Sequence, residues 1–161
     1  SDLPDLSRGF KALKTWFTLQ VYGTKKLASI IDNTCELARY LTHRIYAIPE
    51  LELLAPVSLN IVCFRFLVSA KQCADLKMTK EDIDKLNADI VVDVQESGIA
   101  APSTTWINGQ QAIRVAIFNH RTVGDDIEKL LGVILCKGRA RVALIKRHRL
   151  KSNELAIKPI V

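Results

Sequence analysis

Apolar residues recur along this chain with two different periods, and the alternation between them lays out its elements. Over residues 8–22, RGFKALKTWFTLQVY, Phe10, Leu13, Phe17 and Val21 stand near helical spacing. Gly23 interrupts the pattern. From about Thr24 a longer stripe of Leu27, Ile30, Ile31, Thr34, Leu37, Leu41 and Ile45 predicts a second helix, closed by Pro49. Residues 51–54, LELL, form a short strand candidate ended by Pro56. Residues 60–68, NIVCFRFLV, are apolar on both faces except for Arg65 and predict a strand buried in a sheet.

Thr79 with Asp82 three positions on predicts a capped helix start for KEDIDKLNADIVVDVQES. Ile83, Leu86, Ile90 and Val94 form its inner stripe, and Gly98 ends it. The runs 99–107 and 110–118 flank Asn108-Gly109, a strong short hairpin signal because both turn positions require positive φ. Thr122 with Asp125 predicts the cap of a last helix carrying Ile127, Leu130, Leu131 and Ile134. The order is helix, helix, strand, strand, helix, strand, strand, helix. That is an α+β domain, a mostly antiparallel sheet with helices packed on one face. Beyond Gly138 the periodicity weakens, and a helix, an extended arm and disorder all remain open.

One position in the second hairpin strand does not fit a buried sheet. Ile113, Val115 and Ile117 read as the inner face, and Ala112, Arg114, Ala116 and Phe118 as the outer. A guanidinium in mid-strand, with an alanine two positions away on either side, implies room above it for a ligand. Arg114 therefore reads as a candidate anchor for a carboxylate, which a planar guanidinium grips through two parallel hydrogen bonds. Arg65 reads more simply as half of a structural ion pair at the sheet edge.

Composition and charge narrow the class. The 161 residues are 48% apolar and 25% charged, enough for one globular domain with a real core. No run approaches the roughly 18 apolar residues of a membrane span, and no basic-then-apolar leader is present, so a cytoplasmic location is expected. The net charge of +6 is uneven. From Lys137 onward eight basic residues face one acid, Glu154, and the rest of the chain is nearly neutral. No aromatic side chain interleaves that basic segment, so stacking on bases is unavailable, and a nucleic-acid partner is not expected.

The familiar catalytic signatures are absent: no G-x-S-x-G elbow, no H-E-x-x-H and no glycine-rich phosphate loop. His43, His120 and His148 stand on a helix flank, at a strand end and in the basic segment. Cys35, Cys63, Cys73 and Cys136 form no C-x-x-C pair and have no histidine at ligand spacing; they read as buried free thiols, with no metal site. Trp16 and Trp106 read as packing residues.

Three segments carry a resemblance. LSRGFKALKTWFTLQVYG (6–23) resembles a stretch of the pyridoxal-phosphate-dependent group II amino-acid decarboxylases, the aromatic-amino-acid and glutamate decarboxylases among them. The family pattern there runs approximately G-R-R-F-[KR]-[AS]-L-K-x-W and then Y-G. PELELLAPVSLNIVCFRF (49–66) is similar to their next signature, in which V-C-F-R closes a strand. INGQQAIRVAIFNHRT (107–122) is similar to their late hairpin and its step into the last helix. The matches follow the family's order and spacing over roughly residues 3–136.

The resemblance implies the carboxy-terminal small domain of such an enzyme, with the fold of the small domain of fold-type-I pyridoxal enzymes. Residues 1–23 would be the connecting helix from a missing large domain, 24–137 the small domain and 138–161 a basic tail. It implies pyridoxal phosphate in the full-length protein and no cofactor in this chain. The Schiff-base lysine would lie upstream, and this chain has no His-Lys pair of the family's type. Arg114 maps onto the family's carboxylate-binding arginine, and Arg8, Arg65 and His120 are possible supports of that site. Arg8 is followed by Gly9 where the family often has a second arginine. An upstream large domain, or a partner chain carrying it, is expected, with a homodimer in the full-length enzyme and an amino acid as substrate. A non-catalytic binding or assembly module of the same fold, or a nucleic-acid binder acting through the basic tail, is the alternative.

Overall fold

The computed structural model describes residues 10–156, with the elements α1 (Lys11–Ala47), β1 (Leu51–Leu53), β2 (Ile61–Phe66), α2 (Ala70–Asp75), α3 (Lys80–Glu96), β3 (Ser103–Ile107), β4 (Gln110–Ala116) and α4 (Gly124–Ala156). The α+β reading holds. The strands form one antiparallel sheet in the order β1-β2-β4-β3.

The two-helix reading of the amino-terminal region corresponds to α1 broken at Gly23, whose φ of 71° and ψ of 158° are non-helical. The arms on either side of the break differ in surroundings. Beyond it Ala38, Leu41 and Ile45 are buried against the sheet. Before it Phe10, Leu13, Trp16, Phe17, Val21 and Tyr22 are all exposed.

Thr79 caps α3 as its spacing predicts: its hydroxyl accepts from the Asp82 amide while the Asp82 carboxylate accepts from the Thr79 amide. Asn108 and Gly109, with φ of 50° and 69°, make the hairpin turn. Thr122 does not cap α4. The cap lies one residue later, where the Asp126 carboxylate accepts from the Val123 amide at 3.1 Å. Helix α2 was not foreseen. It is a single short turn held by a reciprocal Ser69–Gln72 capping box rather than by apolar periodicity.

Alternating strand positions bury Val62, Phe64, Phe66, Ile113, Val115 and Ile117 under α1, α3 and α4, where Leu41, Ile45, Ile90, Val94, Leu131 and Ile134 complete the core. At one end β2 and β4 part. Their ladder stops at Phe64↔Ile113, so the next pair on the same face, Phe66 and Gln111, is not formed. Helix α3 fills the gap. The wholly buried Asn87 accepts from the Phe66 amide at 2.7 Å and donates to the Phe66 carbonyl at 3.1 Å. Asp84 accepts from the Gln111 amide at 2.8 Å. Backbone groups that a strand partner would satisfy are satisfied by two helix side chains.

The basic segment left open by the sequence is helical: α4 runs through Gly138 as far as Ala156. Gly138 marks not an end but the closest approach of helix to sheet, where a Cβ would lie 2.5 Å from the Phe66 ring. The following basic side chains fasten α4 to its neighbours. Arg139 holds Glu50, Arg141 holds both Asp89 and Asp93, and Arg149 holds Asp82. These arginines hold Glu50, Asp93 and Asp82 below the usual carboxylate range; for Asp82 the larger cause is the Thr79 amide.

Candidate functional site

Residues paired directly across antiparallel strands project to the same face. The register Glu52↔Arg65 and Cys63↔Arg114↔Ser103 therefore places two rows of polar side chains side by side on the sheet face away from the helices. Ile61, Cys63, Arg65, Arg114 and Ala116 on this face are half-buried, where their neighbours on the helix side are sealed.

The two arginines of this face have different surroundings. Arg65 Nε donates to the Glu52 carboxylate at 2.6 Å, so its charge is answered within the chain. Arg114 has no carboxylate partner among the described residues. Its side-chain hydrogen bond is from Nη1 to the Ser103 hydroxyl at 3.5 Å, the outer limit of such a bond. On the other flank stands the Cys63 thiol, pushed up by burial, which the Arg114 charge only partly opposes. The neutral thiol gives the guanidinium no counter-charge.

The other half-buried arginines described, Arg44, Arg141 and Arg149, all pair with carboxylates. Of the two alanines expected to leave room above Arg114, only Ala116 is partly exposed. Ala112 is wholly buried, so that side is filled. Ala116 is half-buried and lines a cleft of about 630 Å3 with Pro102, Phe118, Ile127 and Leu130, but Arg114 is not among the residues lining that cleft.

A family model described as the pyridoxal-dependent decarboxylase conserved domain matches residues 3–67. The aromatic-L-amino-acid decarboxylase of Bacillus atrophaeus is 28% identical over 127 residues, covering 79% of this chain and 25% of that protein. Tyrosine decarboxylase 4 of Petroselinum crispum is 33% identical over 112 residues, 70% of this chain and 22% of that protein. Among solved structures, the glutamate decarboxylase domain of a Vibrio parahaemolyticus protein named as diaminobutyrate-pyruvate transaminase and L-2,4-diaminobutyrate decarboxylase aligns with a TM-score of 0.67 at 28% identity. The alignment covers 80% of this chain and 26% of that one. Oryza sativa TDC with PLP and tryptamine shares the fold at a TM-score of 0.73 and 23% identity, over 84% of this chain and 28% of that one.

The chain belongs to the pyridoxal-dependent decarboxylase family. It corresponds to the carboxy-terminal small domain and spans about a quarter of the length of the curated relatives it matches.

Among the described residues of this decarboxylase-family domain, the clefts hold no set of side chains that fits a pyridoxal site. Such a site needs a lysine desolvated toward its neutral amine beside an acid for the ring nitrogen. The lysines that line clefts here, Lys85, Lys129 and Lys146, are exposed to solvent. No cluster of metal-ligating side chains exists among the described residues, and no helix there is long and apolar enough to cross a membrane.

Of the remaining residues singled out by sequence, Arg8 lies outside the described part. His120 is exposed in the turn after β4 and does not join the Arg114 row. The cysteines are free but not buried: Cys35, Cys63 and Cys73 are half-buried and Cys136 is exposed. Trp16 and Trp106 are not packing residues within this chain, being 54% and 62% exposed. Ser103 was missed altogether. The hairpin turn at Asn108-Gly109 fixes it opposite Arg114, and counting back from that turn would have found it.

Proposed function

We propose that the complete protein is a pyridoxal-phosphate-dependent amino-acid carboxy-lyase in which this domain supplies Arg114 to bind and orient the substrate α-carboxylate. The observation carrying this reading is the unanswered guanidinium on an open sheet face. A half-buried cation without a counter-ion is costly, and a rigid central strand holds this one ready for a carboxylate from outside the domain.

The cofactor supplies the electron sink for decarboxylation, and its lysine, ring-nitrogen acid and phosphate cradle come from the upstream large domain or a chain carrying it. Residues 1–23 connect to that domain, 24–137 are the small domain, and of the basic 138–161 segment residues 138–156 prolong α4. The exposed apolar residues of the first arm of α1 are the surface that the large domain covers, within a homodimer. The unpaired cysteines fit the reducing cytoplasm.

A firm grip on the departing carboxylate stabilises the ground state as much as anything later, so Arg114 does not accelerate the reaction by attraction alone. Its contribution is orientation, fixing the direction in which the Cα–carboxylate bond breaks.

The test is Arg114→Lys in the full-length protein, assayed by CO2 release from aromatic, acidic and basic L-amino acids, with cofactor loading followed by absorbance. KM is expected to rise about 10–150-fold, the worth of a hydrogen bond to a charged group, with cofactor still bound. Unchanged substrate kinetics would remove Arg114 from the site.

A further inference from the structure

Two arginines of this domain show how it grips a carboxylate. Arg141 holds Asp93 with Nε and Nη2, at 2.7 Å each. Arg139 holds Glu50 with the same pair of atoms, at 2.8 and 2.5 Å. In both, the side edge of the guanidinium meets the two carboxylate oxygens, the bidentate geometry that gives such pairs their direction. For Arg114 the bond to Ser103 uses Nη1, the nitrogen outside that edge. Its Nε–Nη2 edge carries no hydrogen bond to any described residue.

Ser103 is well placed to hold the group. It is the direct cross-strand partner of Arg114, on the same face, with its backbone fixed at the start of β3. The opposite flank offers only the Cys63 thiol, a weak acceptor. A guanidinium on a long flexible stem loses rotamer entropy when it is ordered, and a tether at one nitrogen removes part of that loss before a ligand arrives.

We infer that Ser103 is the positioning residue for Arg114: its hydroxyl oxygen accepts a hydrogen bond from Nη1 and so turns the Nε–Nη2 edge outward to receive the substrate carboxylate. This rests on the reading of Arg114 given above, and the experiment separates the two.

The full-length protein is compared as wild type, Ser103→Ala, Ser103→Thr, Arg114→Lys and the Ser103→Ala/Arg114→Lys double variant. Each is measured for KM, kcat and thermal midpoint against the best amino acid of the panel above. Ser103→Ala is expected to raise KM about 3–10-fold with kcat and melting little changed, a fraction of the full charged hydrogen bond. Ser103→Thr, which keeps the hydroxyl and suits a strand, should restore wild-type KM. In the Arg114→Lys background Ser103→Ala should add nothing, because the group it orients is gone.

If Arg114→Lys raises KM while Ser103→Ala leaves it unchanged, or raises it equally in both backgrounds, the positioning role of Ser103 is overturned and the carboxylate reading stands. If Arg114→Lys itself changes nothing, both fall. A second measurement needs no turnover. The Arg114 Nε–H resonance of the full-length protein should be sharper in wild type and Ser103→Thr than in Ser103→Ala, and equal sharpness in all three would also count against the tether.

Discussion

Two rows on the open face of the sheet hold the same residue type in neighbouring positions with opposite results. In the first, Arg65 meets Glu52 across β1 and β2, and its charge is settled inside the chain. In the second, Arg114 stands between a neutral thiol and a hydroxyl and meets no carboxylate among the described residues. Both arginines are half-buried, both sit in mid-strand, and both break an apolar run. Burial and spacing therefore do not distinguish a structural arginine from a binding one. The cross-strand partner does, and that partner is set by register.

The contrast can be broken or sharpened by substitution. The largest effect is expected at the wedge that keeps β2 and β4 apart. Asn87→Ala leaves the Phe66 amide and carbonyl buried without partners and should cost about 3 kcal/mol in urea unfolding of the 161-residue chain. A loss below about 0.5 kcal/mol would mean that β2 and β4 simply close, extending the ladder past the Arg65 row.

Arg65→Met removes the partner of Glu52 and should cost about 1 kcal/mol, the upper range for a partly exposed ion pair. Arg114→Met removes an unanswered charge from the same face, and its stability should stay within about 0.5 kcal/mol of wild type or rise. Equal losses at the two positions would show that the domain itself answers Arg114.

The smallest effect per group is acid sensitivity. Glu50, Asp82 and Asp93 are held below their ordinary values in the folded chain, so their stabilisation is complete at neutral pH and fades as pH falls through those depressed values. The thermal midpoint should be level from about pH 7 to 5 and decline below about pH 4. Arg114→Met should trace the same curve as wild type, since no carboxylate among the described residues is tied to it.

The element order was legible because each boundary carried its own signal: Thr79 with Asp82, Asn108 with Gly109, and Pro49 after the longest stripe. Helix α2 escaped because six residues hold too little periodicity, although Ser69 and Gln72 at capping-box spacing were there to be read. The continuation of α4 past Gly138 was left open because the periodicity weakens there, and nothing in the sequence shows that this glycine lets the helix approach the Phe66 ring. The basic segment looked like a tail because the acids that answer Arg139, Arg141 and Arg149 lie 48 to 89 residues away along the chain. Arg114 stood out in the sequence, yet the want of a carboxylate beside it among the described residues became visible only with the register and the neighbouring acids in place.

The insertion of Asn87 and Asp84 between β2 and β4 also sets a clock within the domain. The Phe66 and Gln111 amides are shielded from water by a helix rather than by a neighbouring strand. Their hydrogen exchange should thus keep time with the undocking of α3, while the amides of Phe64 and Ile113, one pair further into the ladder, wait for the sheet itself to open. Helix α3 serves as a short, detachable length of sheet, and the interval between those two exchange rates measures how firmly it is attached.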